Sequence, residues 1–360
     1  LYISTIFIVK NEISNLKHIV DKVLLFSDEV VFVDTGSSDG TVEYLKDRAS
    51  ADNSIIFATY NWDNNFSNAR NAAIDLCSKD FILWLDADDR IDDDNISQII
   101  HHKSSLNLNL AYFIKVNNSS DDTFFYQIRI FPNIKPIKFI YPVHEQLDMP
   151  THIRKAFLDI EILHTGYENR DNLKEKHLRN IAILKSYNSQ DFYFSLQMGE
   201  SYKIIGDYDK AVEYLNYALL DKNIVTLNRE IMGFIYLELY KLYSILGFHD
   251  RAINALYKGE EFAGDFPVLY YYFAKELYEK GDLDMAIKYY SIFLSEHCNK
   301  KYINPVSHKL EDSGIYSLAK CFFQIGQYEK AVMLFNKLIV KYPDHKIYSD
   351  FGEKCLEKIF

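Results

Sequence analysis

The sequence predicts an α/β domain over residues 1–171 followed by an all-α helical-repeat domain over 172–360. Three observations carry this expectation. From residue 3 to about 135, short runs rich in Val, Ile and Phe alternate with segments of helical period. After residue 172 those runs disappear and one six-residue phrase recurs. Between them, the apolar run FILWL at 81–85 ends in a cluster of three carboxylates, Asp86, Asp88 and Asp89.

Taken in order, the first domain reads STIFIV, a helix over 14–26, EVVFVD, a helix over 40–49, SIIFAT, a helix over 67–78, and FILWLDAD. Strand, helix, strand alternation of this kind implies right-handed β-α-β units and a largely parallel sheet covered by helices. Ligands of such sheets bind outside the carboxyl ends of the strands. Asp34 ends one strand, and Asp86 ends another. Residues 136–172 are less regular and complete the first domain before the repeats.

In the second domain the phrase is GDYDKA at 206–211, GFHDRA at 247–252, GDLDMA at 281–286 and GQYEKA at 326–331. The glycine spacings are 41, 34 and 45 residues. A 34-residue helix-turn-helix unit is the tetratricopeptide signature, in which Gly permits a tight turn and Ala permits close helix packing. Gly199, Ala274 and Ala319 each stand seven residues before a turn glycine, at a small-residue position of the first helix, and Pro343 closes the last unit. Four repeats with insertions result. Stacked helix pairs of this type build extended concave surfaces suited to peptides, and they also mediate self-association. Their many tyrosines are candidates for either surface.

Composition narrows the function. The 360 residues are 48% hydrophobic, enough for a full core. Forty basic against 51 acidic side chains give a net charge of −11, with no Lys/Arg run interleaved with aromatics, which argues against nucleic acid. No apolar run approaches the ~20 residues that span a bilayer. No secretory signal is visible, although the chain begins at Leu1 rather than Met. Cys77, Cys298, Cys321 and Cys355 lie far apart without a C-x-x-C pair, and read as reduced core thiols of a cytoplasmic protein rather than a zinc site.

Four local patterns mark strand ends in the first domain: IVKNE at 8–12, VDTGSSDGT at 33–41, WDNNFSNARN at 62–71 and LDADD at 85–89. Each alone has a structural explanation. Asn11 or Ser14 suits a helix cap, Gly36 and Gly40 suit positive φ, and Ser38 or Asp39 suits the next cap. Their order along one α/β unit points to a shared site. Like charges about 4 Å apart repel by roughly 4 kcal/mol at an effective dielectric of 20, so Asp86, Asp88 and Asp89 need solvent, a cation or a function. Mg²⁺ or Mn²⁺ suits carboxylate and phosphate oxygens and neutralises the charge that develops on a departing diphosphate. In Asp86-Ala87-Asp88, the small Ala87 is expected to leave room for a ligand.

With these residues the chain resembles the family 2 glycosyltransferases of the GT-A, Rossmann-like fold over about residues 3–170. The resemblance implies that Asp34 binds the nucleoside, that Asp86 and Asp88 form the D-x-D with Asp88 the more direct metal ligand, and that Lys10, Asn11 and Glu12 lie near the nucleotide. Arg70 matches a position near the donor, where a guanidinium pairs with phosphate or holds the aspartates. PVHEQ at 142–146 and HTGY at 164–167 resemble motifs of a narrower group that joins this domain to tetratricopeptide-like repeats and includes the sublancin-type bacteriocin S-glycosyltransferases. That likeness implies His144 as a metal ligand or catalytic imidazole, Glu145 as general base, His164 as an alternative metal ligand, and Tyr167 lining the site.

The implied activity is inverting, metal-dependent transfer of a hexose or N-acetylhexosamine from a nucleotide diphosphate sugar to Cys, Ser or Thr of a peptide or protein, with the repeats binding the acceptor or forming a homodimer. UDP is the implied nucleotide, with UDP-glucose and UDP-N-acetylglucosamine favoured and GDP or dTDP as alternatives. A cell-surface glycan, a lipid-linked acceptor or flagellin is the alternative acceptor. A non-catalytic repeat scaffold with a degenerate transferase domain is the alternative of another class. Two departures stand out: Q-x-x-R-W is absent, since the only tryptophans are Trp62 and Trp84, and no E-D pair supplies the base.

Overall fold

The computed structural model describes residues 1–119, 122–166, 171–187, 189, 191–221, 229–264 and 266–359. It divides into two compact units, Leu1–Gln190 and Asp191–Phe360.

The first unit is built on β1 (Ile3–Val9), β2 (Glu29–Asp34), β3 (Ile55–Thr59), β4 (Phe81–Trp84), β5 (Asp89–Arg90), β6 (Leu110–Asn118), β7 (Thr123–Pro132) and β10 (Arg154–His164). The sheet order is β3-β2-β1-β4-β7-β6-β10-β5. The β3-β2-β1-β4 segment is parallel, as the alternation predicts, because each crossover carries a helix: α1 (Ile13–Leu24), α2 (Thr41–Ala51) and α3 (Phe66–Asp75). β7 enters antiparallel between β4 and β6, so the sheet is mixed. The short hairpin β8 (Lys138–Ile140) and β9 (Gln146–Asp148) stands apart from it.

Both faces of the sheet are covered. On one, Phe7, Phe32 and Leu83 pack against Leu16, Ile19, Val20 and Val23 of α1 and against Ile96 and Ile99 of α4 (Asp93–His102). On the other, Ile6, Val31 and Trp84 pack against Ala73 of α3 and Phe139 of β8. Burial on both faces explains why these strands are continuous apolar runs without polar alternation. Helix α5 (Asp171–Tyr187), which the sequence groups with the repeats, falls within the first unit.

The second unit stacks helix pairs: α6 (Phe192–Ile205) with α7 (Tyr208–Leu220), α8 (Arg229–Ile245) with α9 (His249–Phe262), α10 (Val268–Glu279) with α11 (Leu283–His297), and α12 (Leu310–Gln324) with α13 (Tyr328–Lys341). Between partners, Gly206, Gly247, Gly281 and Gly326 all have φ between 77° and 86°, the left-handed turn only glycine adopts without strain. Ala274 and Ala319 are fully buried at the small-residue position. The second repeat places Tyr240 there, and its close approach occurs one heptad earlier at Gly233. A methyl group on Gly233 would lie 2.5 Å from Phe266 Cβ. Gly233→Ala is therefore expected to destabilise the protein by about 1–3 kcal/mol, the cost of overpacking a tight core, read as a lower denaturation midpoint.

The 45-residue spacing has a physical cause. Its extra segment folds back, with Tyr302 fully buried and hydrogen-bonded to His297 Nδ1 at 2.6 Å, while Glu230 Oε1 accepts from the backbone N–H of Ile303 at 2.7 Å. Two sequence expectations are corrected. Tyr202, Tyr236, Tyr240 and Tyr290 are buried in helix packing, and Cys298 is exposed where a core thiol was expected.

Candidate active site

The strand order reverses between β1 and β4: the chain runs outward from β1 through β2 and β3, then returns to place β4 on the other side of β1. At such a switch point the loops part and leave a crevice at the carboxyl ends. Asp34 closes β2 opposite Val9, Lys10 to Glu12 follow β1, and Asp86 follows β4.

On the β2 side, Asp34 is 2% exposed, and its Oδ1 accepts from the backbone N–H groups of Gly36 at 2.9 Å and Ser37 at 3.0 Å. Oδ2 is buried with no hydrogen-bond partner. A buried acceptor left unmatched costs stability. Asn11, at φ 58°, is not a helix cap. Its backbone N–H donates to Ser37 Oγ at 2.8 Å and its Oδ1 accepts from Ser38 N–H at 2.7 Å, lacing the first loop to the second. Asp39 does meet the start of α2, accepting from Thr41 N–H at 3.1 Å. Glu12 Oε2 accepts from Asn15, which in turn receives Arg90. Lys10 is exposed just past the end of β1.

On the β4 side, Arg70 of α3 is the centre of an ion-pair network. Its Nη2 donates to Asp86 Oδ1 at 2.8 Å and its Nε to Glu145 Oε1 at 2.9 Å, with the guanidinium 4.3 Å from the Trp84 ring centre. Arg129 approaches the same ring at 3.7 Å and reaches Asp89 Oδ2 at 3.1 Å and Asp86 Oδ2 at 3.9 Å. Burial opposes ionisation of Asp86, yet the Arg70 and Arg129 guanidiniums hold its carboxyl well below the usual range. Burial and the neighbouring Asp86 charge push Asp88 the other way, up to about 6.

His164 ends β10 directly opposite Asp89 in the β10-β5 pairing. Its Nδ1 lies 2.9 Å from Asp89 Oδ1 and 3.5 Å from Asp88 Oδ1. Burial disfavours its cation, but the hydrogen bond to Asp89 and the nearby carboxylates raise its pKa. Thr165 pins the Asp88 carbonyl through its N–H at 3.1 Å and its Oγ1 at 2.8 Å. From the other side Arg90 Nη1 donates to the carbonyls of Ala87 at 3.1 Å and Asp89 at 3.0 Å. A Cβ on Gly166 would lie 2.0 Å from Asp88 Oδ2 and 2.9 Å from His164 Nε2, so any larger residue there would push these two side chains aside.

Asp86, Asp88, Asp89 and His164 each offer one ligand atom, and these lie within 4.8 Å of one another. Four carboxylates counting Glu145 face two guanidiniums, so the site carries excess negative charge that a divalent cation would balance. Hard oxygen donors with one imidazole suit Mg²⁺ or Mn²⁺. Asp88 and His164 are the better placed pair, since Asp86 is engaged by Arg70 and Asp89 is fully buried between Arg129 and His164.

Other expected site residues fall elsewhere. His144 lies outside that ligand group; at φ 55°, its Nε2 is 3.4 Å from Asn180 Nδ2 of α5, and burial beside the cations of His177, Lys176 and Arg179 pushes it down to about 4. It is a neutral imidazole held by α5. Glu145 is in the site, but paired with Arg70. Ala87 is buried in the core beneath the sheet, so its small size serves packing rather than ligand access. Tyr167 lies outside the described residues. Arg129 was not expected, although a lone arginine within the apolar strand YQIRIFP is a legible signal that a buried carboxylate faces it.

Residues 4–166 match the family described as Glycosyl transferase family 2, and residues 314–345 match a tetratricopeptide repeat. The SPbeta prophage-derived glycosyltransferase SunS of Bacillus subtilis (strain 168) and the glycosyltransferase SunS of Bacillus phage SPbeta are each 24% identical over 225 residues, covering 59% of this chain and 52% of theirs. The chain thus spans about half the length of the curated relatives it matches. Among solved structures, residues 1–349 of S. aureus TarS superpose with a TM-score of 0.41 at 12% identity, covering 78% of this chain and 92% of that one.

Proposed function

We propose that the family 2 glycosyltransferase domain at residues 4–166 transfers a hexose or N-acetylhexosamine from a nucleotide diphosphate sugar to a Cys, Ser or Thr side chain of a peptide or protein. The observation that carries this reading is that the buried, unmatched Asp34 Oδ2 and the Asp88/His164 donor pair lie at the carboxyl-end side of β2 and β4, the two strands that flank β1. A nucleoside base presents N–H groups that suit the first, and a metal-bound diphosphate suits the second.

In this reading Asp34 receives a base N–H of UDP, with Lys10, Asn11 and Glu12 bordering the nucleotide. Asp88 and His164 hold Mg²⁺ or Mn²⁺, which when bound neutralises charge on the diphosphate as a Lewis acid. Arg70 orients Asp86 and Glu145. Glu145 takes the acceptor proton while the acceptor oxygen or sulfur bonds to the anomeric carbon and the carbon–oxygen bond to the diphosphate breaks on the opposite face, inverting configuration. A thiol needs less help, since its pKa near ~8.5 leaves some thiolate at neutral pH. His144, held by α5, positions the Glu145 loop. The repeats bind the acceptor or a second copy of the chain. A cytoplasmic place of action belongs to the same proposal. Among the described residues no helix is long and apolar enough to cross a membrane.

The test is nucleotide release from UDP-, GDP- and dTDP-sugars with Mn²⁺, Mg²⁺ or chelator. Metal-dependent release from UDP-glucose or UDP-N-acetylglucosamine is expected. A chain that binds no nucleotide in any of these conditions is a repeat scaffold, and the proposal falls.

A further inference from the structure

We propose that Arg129 and Asp89 form a positioning relay that aims His164 at the divalent cation, an inference that rests on the metal-dependent reading above. Arg129 sits in β7, beside the β4 pairing of Leu83 with Ile130, and is 2% exposed. A guanidinium buried to that extent needs fixed partners. Its Nη1 donates to the Trp84 carbonyl at 3.3 Å and to Asp89 Oδ2 at 3.1 Å, with Asp86 Oδ2 at 3.9 Å, and its ring partner is Trp84. Its Nε is buried without a hydrogen bond.

Asp89 divides its two oxygens. Oδ2 receives Arg129 and the backbone N–H of Asp86 at 2.9 Å, which ties the relay to the D-x-D turn itself. Oδ1 faces His164 Nδ1 at 2.9 Å. An ionised carboxylate only accepts, so Nδ1 carries the proton of that bond and Nε2 is the nitrogen turned to the metal side. There, His164 Nε2 and Asp88 Oδ2 flank the space that Gly166 leaves open. Arg129 thus acts on the metal through two intermediates: it fixes Asp89, and Asp89 fixes the ring orientation of His164. Partners of metal-bound histidines in this arrangement are generally worth 10–100-fold in metal affinity.

The experiment uses the whole chain with Arg129→Gln, and Asp89→Asn as an isosteric second variant that decides the matter if the first does not fold. Folding is read by circular dichroism and melting, Mn²⁺ affinity by the electron paramagnetic resonance of free Mn²⁺, and nucleotide release as a function of Mn²⁺. Folded variants are expected to bind Mn²⁺ about 10–100-fold more weakly, with nucleotide release shifted to correspondingly higher Mn²⁺. A merely structural role would lower the melting temperature and leave Mn²⁺ affinity within about twofold of wild type; that result overturns the relay. Wild-type protein that binds neither Mn²⁺ nor nucleotide overturns the functional reading and the relay together. Wild type that binds both, with unaltered Mn²⁺ affinity in the variants, overturns the relay alone.

Discussion

Asp88→Ala is expected to lower metal-dependent nucleotide release by about 10²–10³-fold while the protein stays folded. The magnitude follows from the proposed role of Asp88 as a ligand of the ion at the leaving diphosphate, since loss of one electrostatic stabiliser costs about 10²–10³-fold in rate. The fold survives because Asp88 raises the local cost of burial: its carboxyl sits beside the Asp86 charge and is pushed up to about 6. Removing it relieves repulsion. The same shift enters the pH dependence of wild type. Below about pH 6 Asp88 carries a proton that a cation must displace, and His164, whose pKa is raised by Asp89 and Asp88, must lose one as well, so Mn²⁺ affinity falls as pH drops and levels off only above the raised pKa of His164. Calorimetric titration with Mn²⁺ between pH 5 and pH 8 checks both statements; full release by Asp88→Ala would remove the centre of the proposed site.

Arg70→Met is expected to be the most destabilising of the site substitutions. It leaves Asp86 and Glu145, whose side chains are 30% and 14% exposed, without the guanidinium that joins them. Breaking a buried pair by removing one partner costs about 3–5 kcal/mol, and Arg129 at 3.9 Å from Asp86 compensates only part of it, so about 3 kcal/mol is expected. A change of that size lowers the melting temperature by roughly 6–12 °C for a unit of this length. Arg70→Lys keeps the charge without the fork that reaches two carboxylates at once, and falls between the two. A melting curve of Arg70→Met within about 2 °C of wild type would show that the network adds little to stability.

The candidate site residues are legible in the sequence to the extent that strand ends are. Asp34, Asp86 and Asp88 each follow an apolar run, and in a sheet of β-α-β units the carboxyl ends of such runs share one edge. Turn glycines were legible for a similar reason: Gly206, Gly247, Gly281 and Gly326 recur in a phrase whose chemistry serves one backbone conformation. His144 and Glu145 show the limit. Adjacent in sequence, they go to different environments, one against α5 and the other onto Arg70, because a residue at φ 55° turns the chain between them.

What the sequence alone determined is the succession of a parallel-sheet unit and paired helices, and the identity of the acidic strand ends. Those follow from local periodicity and from residue types that accept few conformations. Only the tertiary structure decided which carboxylates face guanidiniums and which face His164. The strands involved, β4, β7, β5 and β10, are separated by up to 81 residues between Leu83 and His164, and one antiparallel insertion sets β7 beside β4. Charges brought together by such pairing take their protonation and their partners from the distance between them, which no local pattern in the chain records.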